Sequence, residues 1–151
     1  MTHYEQAVRL IEEHEGDFEG PKSEAFVAKA EAALDLVFPP TYRRFLRELG
    51  CGDIGGLEIY GIVDDDFVNS SVPDGIWLTL ENRKVIRLNP AVIIISDVGD
   101  GTFYGIDTSE RNAEGESPVR IYSVNGEYSE KEADDFGAFL LKEVREAVDD
   151  T

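Results

Sequence analysis

The feature that most restricts the fold of this chain is a series of short extended segments joined by tight turns. Residues 92–96 (VIIIS) are β-branched and apolar, and residues 98–101 (VGDG) separate them from a second extended segment at 102–107. The Asn-Gly pair at 125–126 is a strong hairpin signal after another extended segment, residues 119–124. Strands joined by such short turns pair antiparallel, because parallel pairing needs a crossover of a dozen or more residues. The second half of the chain therefore predicts a meandering antiparallel sheet.

The first 50 residues show helical rather than extended periodicity. Thr2 and Glu5 have the spacing of a capping box, and Ser23 is placed to begin a second helix. We expect the inner stripe of this second helix to be buried: Phe26, Ala30, Ala33, Leu34 and Val37. The segment 38–40 (FPP) is predicted to end the helix, because a proline disfavours helical geometry in the residue before it.

A third helix is predicted to begin at Pro40, where the missing N–H of proline costs nothing. Gly50 is a natural stop for it. Its buried face should hold four residues: Tyr42, Phe45, Leu46 and Leu49.

The remaining segments complete the predicted order of elements. Residues 57–63 (LEIYGIV) indicate a strand, residues 76–88 an inserted helix with weak periodicity, and residues 136–147 a closing helix. The fold class is therefore α+β, with N-terminal helices, a mainly antiparallel meandering sheet with an inserted helix, and a C-terminal helix. There is no repeat or linker, so residues 1–151 are expected to form a single domain.

Acidic residues predominate along the whole chain. There are 32 Asp and Glu against 14 Lys and Arg, a net charge of −18, divided as −4, −6 and −8 over residues 1–50, 51–100 and 101–151. Such a surface disfavours nucleic acids and anionic membranes, because nucleic-acid binding needs clustered Lys and Arg. It would attract a basic protein and speed its encounter. Acidic surfaces also keep proteins soluble, so charge alone leaves both interpretations open.

The expected compartment is the cytoplasm. The one cysteine, Cys51, has no internal disulfide partner, which suits a reducing environment. The first 16 residues lack the features of a signal peptide, and the longest apolar run, residues 91–95, is too short to span a bilayer. No feature of the sequence specifies an oligomeric state.

Two motifs resemble ligand sites without meeting their requirements. Residues 50–55 (GCGDIG) match the G-x-G-x-x-G pattern, but they follow a helix and precede a strand, the reverse of a dinucleotide site. Asp97, Asp100 and Asp107 surround a glycine turn, but their spacing does not provide the alternating ligands and terminal Glu of a calcium loop. We therefore expect no cofactor and no metal.

The sequence also favours no catalytic residue. His3 and His14 lie eleven residues apart along the first helix, about three turns, and are not paired as metal ligands. Cys51 follows a helix C-terminus, where the helix dipole disfavours a thiolate. Carboxylates are so numerous that their count neither identifies nor excludes a small hydrolase that uses two of them. The chain is thus predicted to bind rather than to catalyse.

Asp64, Asp65 and Asp66 form a run of three acids after the predicted strand at 57–63. Consecutive acids point in different directions, which makes a metal site a poor interpretation. A solvated charge run and a contact patch for a basic partner both remain open. We predict that these three residues, together with Asp100 in the glycine turn, contribute to a partner-binding surface.

Several stretches in order resemble the SUKH superfamily, which includes fungal cell-wall-synthesis regulators and many bacterial immunity proteins of polymorphic toxin systems. Residues 36–46 (LVFPPTYRRFL), followed by Gly50 and Gly52, resemble the helix start and glycine corner of that family. The segments 57–62, 97–107, 118–122, 125–127 and 136–140 resemble its first strand, its glycine-aspartate hairpin and its C-terminal part. The resemblance covers most of residues 22–145.

What this resemblance implies is protein binding. Immunity proteins of this family neutralise a cognate toxin, often a nuclease, and an acidic protein can occupy the basic surface that a nuclease uses for polyanions. The leading hypothesis is therefore an immunity protein that binds a cognate toxin or another basic protein. The alternative is an intracellular regulator or scaffold that docks a partner protein or peptide without neutralising it.

Overall fold

The computed structural model describes residues 1–149, which contain five helices and two antiparallel sheets. The helices are α1 (His3–Glu13), α2 (Glu24–Leu34), α3 (Pro40–Glu48), α4 (Gly75–Val85) and α5 (Phe136–Asp149). The smaller sheet has the order β1 (Asp17–Phe18), β2 (Gly52–Ile54) and β3 (Leu57–Ile59). The larger sheet has the order β4 (Val92–Asp97), β5 (Phe103–Asp107), β6 (Val119–Tyr122) and β7 (Tyr128–Ala133). The predicted α+β class and the antiparallel meander are confirmed.

The predicted starts of the first three helices are also confirmed. The side chain of Thr2 accepts from the backbone N–H of Glu5, whose carboxylate accepts in return from Thr2 N–H, so the capping box is complete. Ser23 caps α2 by accepting from Phe26 N–H. Pro40 is the first residue of α3, and Gly50 follows its end with φ +75°, a conformation that glycine adopts at little cost.

The predicted end of α2 was wrong by three residues. The helix ends at Leu34 because Asp35 takes the left-handed conformation (φ 55°), before the prolines are reached. As a result Val37 lies outside the helix and is 65% exposed, and Ala33 is also exposed. Val27 takes the buried position beside Ala30 and Leu34.

The glycine corner was predicted only as a connection, but it contains a strand. β2 pairs with β1 on one side and with β3 on the other, which makes the smaller sheet. The predicted strand at 57–63 is shorter, since β3 ends at Ile59 and Gly61 forms an isolated bridge to Asp74. Gly61 is required there, because a Cβ would come within 1.8 Å of the carbonyl oxygen of Gly50.

One extended core lies between the helices and the sheets, and we call it the main cluster. At its centre the rings of Tyr42, Phe45 and Phe136 are in mutual contact, with centroids 5.0–6.0 Å apart. Residues of β4, β5 and β6 reach it from the larger sheet: Ile93, Ile95, Ile106 and Val119. The third helix therefore buries the face predicted for it, with Leu49 only partly buried at its end.

The opposite face of the larger sheet carries a separate, smaller group of buried residues, which we call the second cluster: Tyr60, Leu88, Val92, Ile94 and Tyr122. Alternate residues of β4 point into the two clusters, as the period of a strand requires. Helix α4 contributes to both, with Ile76 and Leu80 in the main cluster and Leu78 and Ile86 against the second. Its weak periodicity follows from having two apolar sides, and it ends at Val85 rather than at the predicted residue 88.

Candidate functional site

A mostly apolar concave surface, a groove of about 420 Å³, lies between α4 and the β4–β5 hairpin. Eleven residues line it: Tyr60, Val72, Leu78, Asn82, Ile86, Ile94, Asp97, Gly101, Thr102, Phe103 and Val124. We call this surface the groove. It lies directly over the second cluster, so the buried side chains of that cluster form its floor. Most of the lining is apolar, and among these eleven residues Asp97 alone is charged.

The wall formed by α4 is held firmly against the sheet. The hydroxyl oxygen of Thr79 accepts from the backbone N–H of Ile94 at 3.0 Å, although both groups are buried. Two lining residues of α4 and the residue that caps its C-terminus are spaced at i, i+4 and i+8 and therefore share one face: Leu78, Asn82 and Ile86. The sequence thus supplies a continuous helical wall that is anchored to the β4 strand.

The start of α4 is fixed by a buried carboxylate. Asp74 is fully buried and caps the helix by accepting from the N–H groups of Ile76 and Trp77. Burial raises the pKa of Asp74, whereas these two backbone donors oppose that rise. The hydroxyl of Ser70 also donates to the Asp74 carboxylate, at 3.2 Å. The peptide bond between Val72 and Pro73 in the adjoining loop is cis.

The opposite wall is formed by the hairpin and by aromatic residues of the sheet. Phe103 stacks on Tyr122 with ring centroids 5.6 Å apart and an interplanar angle of 16°. Gly101 lies close to Val124, since a Cβ at Gly101 would come within 3.0 Å of Val124 Cγ1. Val72 and Val124 stand at the mouth of the groove and are 48% and 63% exposed. The apolar lining of the groove together with these two exposed valines makes it a candidate contact surface.

The predicted site residues lie on two separate loops. Asp100 is exposed in the hairpin turn beside the groove, where its carboxylate accepts from the hydroxyl of Thr102 at 2.9 Å. Asp64, Asp65 and Asp66 are exposed in the loop after the smaller sheet, and none of the three lines the groove. Their predicted surface exposure is confirmed. Their role in partner binding stays a prediction.

The three consecutive aspartates have different local partners. Asp65 forms an ion pair with Lys29 of α2 at 3.1 Å. Asp64 accepts from the N–H of Asp66, and Asp66 accepts from the N–H groups of Val68 and Asn69. The donors at Asn69 and Val68 lower the pKa of Asp66. The carboxylates of Asp64 and Asp66 therefore order their own loop.

Positive charge is largely occupied by contacts within the chain. Ten of the 14 Lys and Arg side chains form ion pairs: Arg9, Lys22, Lys29, Arg43, Arg44, Arg47, Lys84, Arg120, Lys131 and Lys142. Within residues 1–149, by contrast, Asp64, Asp66, Asp97 and Asp100 have no salt-bridge partner. These four carboxylates therefore remain available to cations of another protein.

The residues considered for catalysis lie apart from the groove. Cys51 is buried, and desolvation together with the nearby Glu19 raises the pKa of its thiol to about 12, so it is neutral at physiological pH. His3 and His14 are exposed at opposite ends of α1. Over residues 1–149 we find no group of three His, Cys, Asp or Glu side chains placed to hold a metal ion. In the same range, the helices are all too short or too polar to cross a membrane.

The groove itself was not predicted from the sequence. Its residues come from five separate segments, which no local pattern relates to one another. The available signal was the placement of valines in turns, at Val72 before a proline and Val124 before the Asn-Gly pair. Valines in turns are not needed to fill the core. Their presence there is therefore a reason to search for a contact surface.

The sequence of the chain matches the model of a known protein family. A protein-family model described as SUKH_5, SMI1-KNR4 cell-wall, matches residues 3–145. The chain belongs to the SUKH family. The match covers all five helices up to the last turns of α5 and both sheets, so the family resemblance of residues 22–145 is confirmed and extends to α1.

Proposed function

We propose that this SUKH chain is a cytoplasmic immunity protein that binds one cognate toxin domain and neutralises it. Asp64, Asp65, Asp66 and Asp100 are proposed to contribute to the contact surface. The observation that carries this proposal is the combination of the SUKH match with a net charge of −18 and exposed loop aspartates, most of which lack cationic partners. Immunity proteins are a major branch of this family, and a basic toxin would complement such a surface.

The physical basis is electrostatic mimicry. A nuclease holds its substrate by Lys and Arg side chains that contact phosphates. Exposed carboxylates on the loops of this chain carry negative charge, as the phosphates of the substrate do. They can therefore occupy the same basic surface of the nuclease and exclude the substrate. Long-range attraction also raises the association rate, which benefits a protein that must act before the toxin does.

We also propose that the chain acts by binding alone. The neutral, buried thiol of Cys51 is a poor nucleophile, and the two histidines lie at opposite ends of one helix, so they do not form a pair. Among the residues that line the groove, Asp97 has the one carboxylate, and no second acid or base accompanies it.

Co-expression with a toxin tests the proposal directly. The toxin domain encoded in the same gene neighbourhood would be expressed in a bacterial host with and without this chain, and growth would be measured. We expect the chain to restore growth and to form a stable complex with the purified toxin domain. The proposal fails if growth is not restored although both proteins are produced in soluble form.

A second function is favoured by the groove. A regulator or scaffold of the same fold would dock a peptide of its partner in an apolar groove without inhibiting it. The growth experiment separates the two functions, because a scaffold would bind its partner and leave the toxicity of the neighbouring gene product unchanged.

A further inference from the structure

We propose that the groove binds an apolar side chain of the partner protein that is flanked by lysine or arginine. This inference rests on the proposed function in one respect only, that the occupant belongs to another protein. It assigns to the groove the anchor of the complex, and to the surrounding aspartates the recognition of the neighbouring cations.

The apolar part of the argument comes from what the groove contains. Tyr60 and Ile94 in the floor are almost fully buried, and Phe103 adds an aromatic wall. A space of about 420 Å³ accommodates one large side chain together with adjoining backbone. Protein interfaces obtain much of their affinity from aromatic or aliphatic anchors that enter such pockets. Filling the groove would also remove Val72 and Val124 from water.

The charged part of the argument comes from the rim. Asp97 is exposed and lines the groove, and its carboxylate accepts from Gly99 N–H at 3.1 Å, which holds it in place in its own turn. Asp100 lies three residues further along the same turn. No Lys or Arg is among the lining residues. A cationic side chain next to the hairpin turn would therefore meet the carboxylates of Asp97 and Asp100.

The same charge distinguishes this occupant from a second copy of the chain. Two molecules with a net charge of −18 each would bring acidic surface against acidic surface at this point. Like charges in close apposition oppose association. A basic partner gains from the same field, so charge complementarity selects a different protein over self-association.

The groove is also ready to receive a ligand without rearrangement. Its helical wall is held by the Thr79 contact to Ile94 and by the Asp74 cap, and Gly75 N–H donates to the carbonyl of Gly61 at 2.8 Å. Binding to an ordered site loses less conformational entropy than binding to a mobile one. A short peptide should therefore bind detectably by itself.

Three peptides test the chemistry of the occupant. The central segments are Lys-Phe-Lys, Lys-Ala-Lys and Glu-Phe-Glu, each with glycine on both sides and blocked ends, and binding is followed by two-dimensional amide NMR of the whole chain. We expect shifts at the groove residues and an affinity for Lys-Phe-Lys about tenfold higher than for either other peptide. Equal affinity for Lys-Phe-Lys and Glu-Phe-Glu would show a site selective for apolar groups alone and overturn the proposal. Shifts confined to the aspartate loop would also overturn it.

A pair of valine variants provides the matched control. Val124→Lys places a cation at the mouth of the groove, whereas Val85→Lys makes the same change at a residue of α4 that is 77% exposed and does not line the groove. Both residues are exposed, so both variants should fold. We expect V124K to lower the affinity for Lys-Phe-Lys at least about tenfold and V85K to leave it unchanged. Equal effects of the two would contradict the assignment.

The same variants separate this inference from the proposed function. If the neighbouring toxin is neutralised equally well by V124K and by the wild-type chain, the immunity function stands and the groove is not its anchor. If Lys-Phe-Lys binds as expected but the toxin is not neutralised, the groove assignment stands and the immunity function fails. Concentration-dependent dimerisation that V124K abolishes would identify a second copy as the occupant and overturn the inference.

Discussion

The two faces of the larger sheet are covered to very different extents. On one face, Ile93, Ile95 and Ile106 pack beneath α5 and the aromatic group around Phe45, and all are fully buried. On the other face, α4 covers only part of the second cluster and leaves the groove open, with exposed valines at its mouth. The first face provides most of the buried apolar area, and the second retains apolar surface in contact with water.

This difference separates stability from recognition within one sheet. A residue buried in the main cluster contributes to the free energy of unfolding through many van der Waals contacts. A residue at the groove contributes little to folding, because its apolar surface is still exposed in the free protein. Substitutions in the main cluster should therefore lower the free energy of unfolding, whereas substitutions at the groove should weaken binding and change stability little.

The largest effect is expected for Phe45→Ala. Phe45 is fully buried and contacts the rings of Phe18, Tyr42 and Phe136, so the substitution should leave a cavity and lower the free energy of unfolding by about 3–5 kcal/mol. Urea denaturation measures this change, and Val85→Ala on the exposed side of α4 provides the control with little change. A Phe45→Ala protein of normal stability that no longer binds its partner would place the interface on the main-cluster face instead.

The next largest effect is a pH dependence of the free energy of unfolding, which comes from Glu143 on α5. Burial, together with the carboxylates Glu146 and Glu132, raises the pKa of Glu143 from the ordinary value of 4.5 to about 7, while Lys142 opposes the rise. Between pH 4.5 and 7 the folded chain keeps a proton that the unfolded chain releases. This contribution to stability is therefore present at low pH and is lost as the pH rises through that window.

The substitution Glu143→Gln should remove this loss of stability at higher pH. At about pH 8 the variant should be more stable than the wild-type chain by about 1–2 kcal/mol after solvent screening, and the difference should vanish near pH 4. Thermal denaturation at a series of pH values measures it, with Glu12→Gln, an exposed position of α1, as the control. A difference between Glu143→Gln and the wild type that is independent of pH would contradict the assignment.

A smaller effect is expected where the loop between β5 and β6, residues 108–118, meets α3. Pro39 precedes this helix without providing a side-chain cap. Glu116 takes that place, since its carboxylate accepts from the backbone N–H and the hydroxyl of Thr41. Glu116→Ala should lower the free energy of unfolding by about 1 kcal/mol, measured in urea. Glu114→Ala, an exposed acid of the same loop, should change it little; equal losses in both variants would argue for a general charge effect.

The smallest effect on stability, with a clear effect on binding, is expected for the aspartate loop. Replacing Asp64, Asp65 and Asp66 together by Asn keeps the acceptor oxygens that order the loop but removes three charges. The free energy of unfolding should change by less than about 0.5 kcal/mol. The association rate with a basic toxin domain should fall at low salt and converge with the wild type at high salt.

A second triple variant, with the same change in net charge at another place, shows whether the position of the removed charges affects the association rate. Glu12→Gln, Glu13→Gln and Glu15→Gln together remove three charges near the end of α1, which packs against α5. Stopped-flow association of both triple variants with the same toxin domain would compare them. An equal slowing by both sets would indicate that total charge, and no local patch, governs the encounter.

Local chemistry made much of the fold predictable. Thr2, Ser23 and Pro40 mark helix starts through caps and backbone geometry that depend on only a few neighbouring residues. The short turns likewise require antiparallel pairing, because a few residues cannot form the crossover that parallel strands need. By contrast, β1 and β2 have two and three residues, too few to show periodicity, and they form because distant segments meet.

The candidate site was less predictable for the same reason. The exposure of Asp64, Asp65, Asp66 and Asp100 followed from charge, and it is confirmed. The groove depends on α4 lying across β4, a relation between segments that no local pattern encodes. The contact of Glu116 with Thr41 joins residues that are 75 positions apart in the sequence. It could not be predicted either, because no local pattern relates the β5–β6 loop to α3.

Amide hydrogen exchange of the chain, free and bound to the neighbouring toxin domain, tests the division between the two faces most directly. Protection on binding is expected around Val72, at residues 97–103 and at residues 122–126, with slower exchange also at the aspartate loop. Exchange in α1 and α5 should be unchanged, because α5 lies on the opposite face of the sheet, where Phe139 contacts Tyr104, and α1 packs against α5. New protection concentrated in α1 and α5, with none around the groove, would contradict the assignment of recognition to the open face.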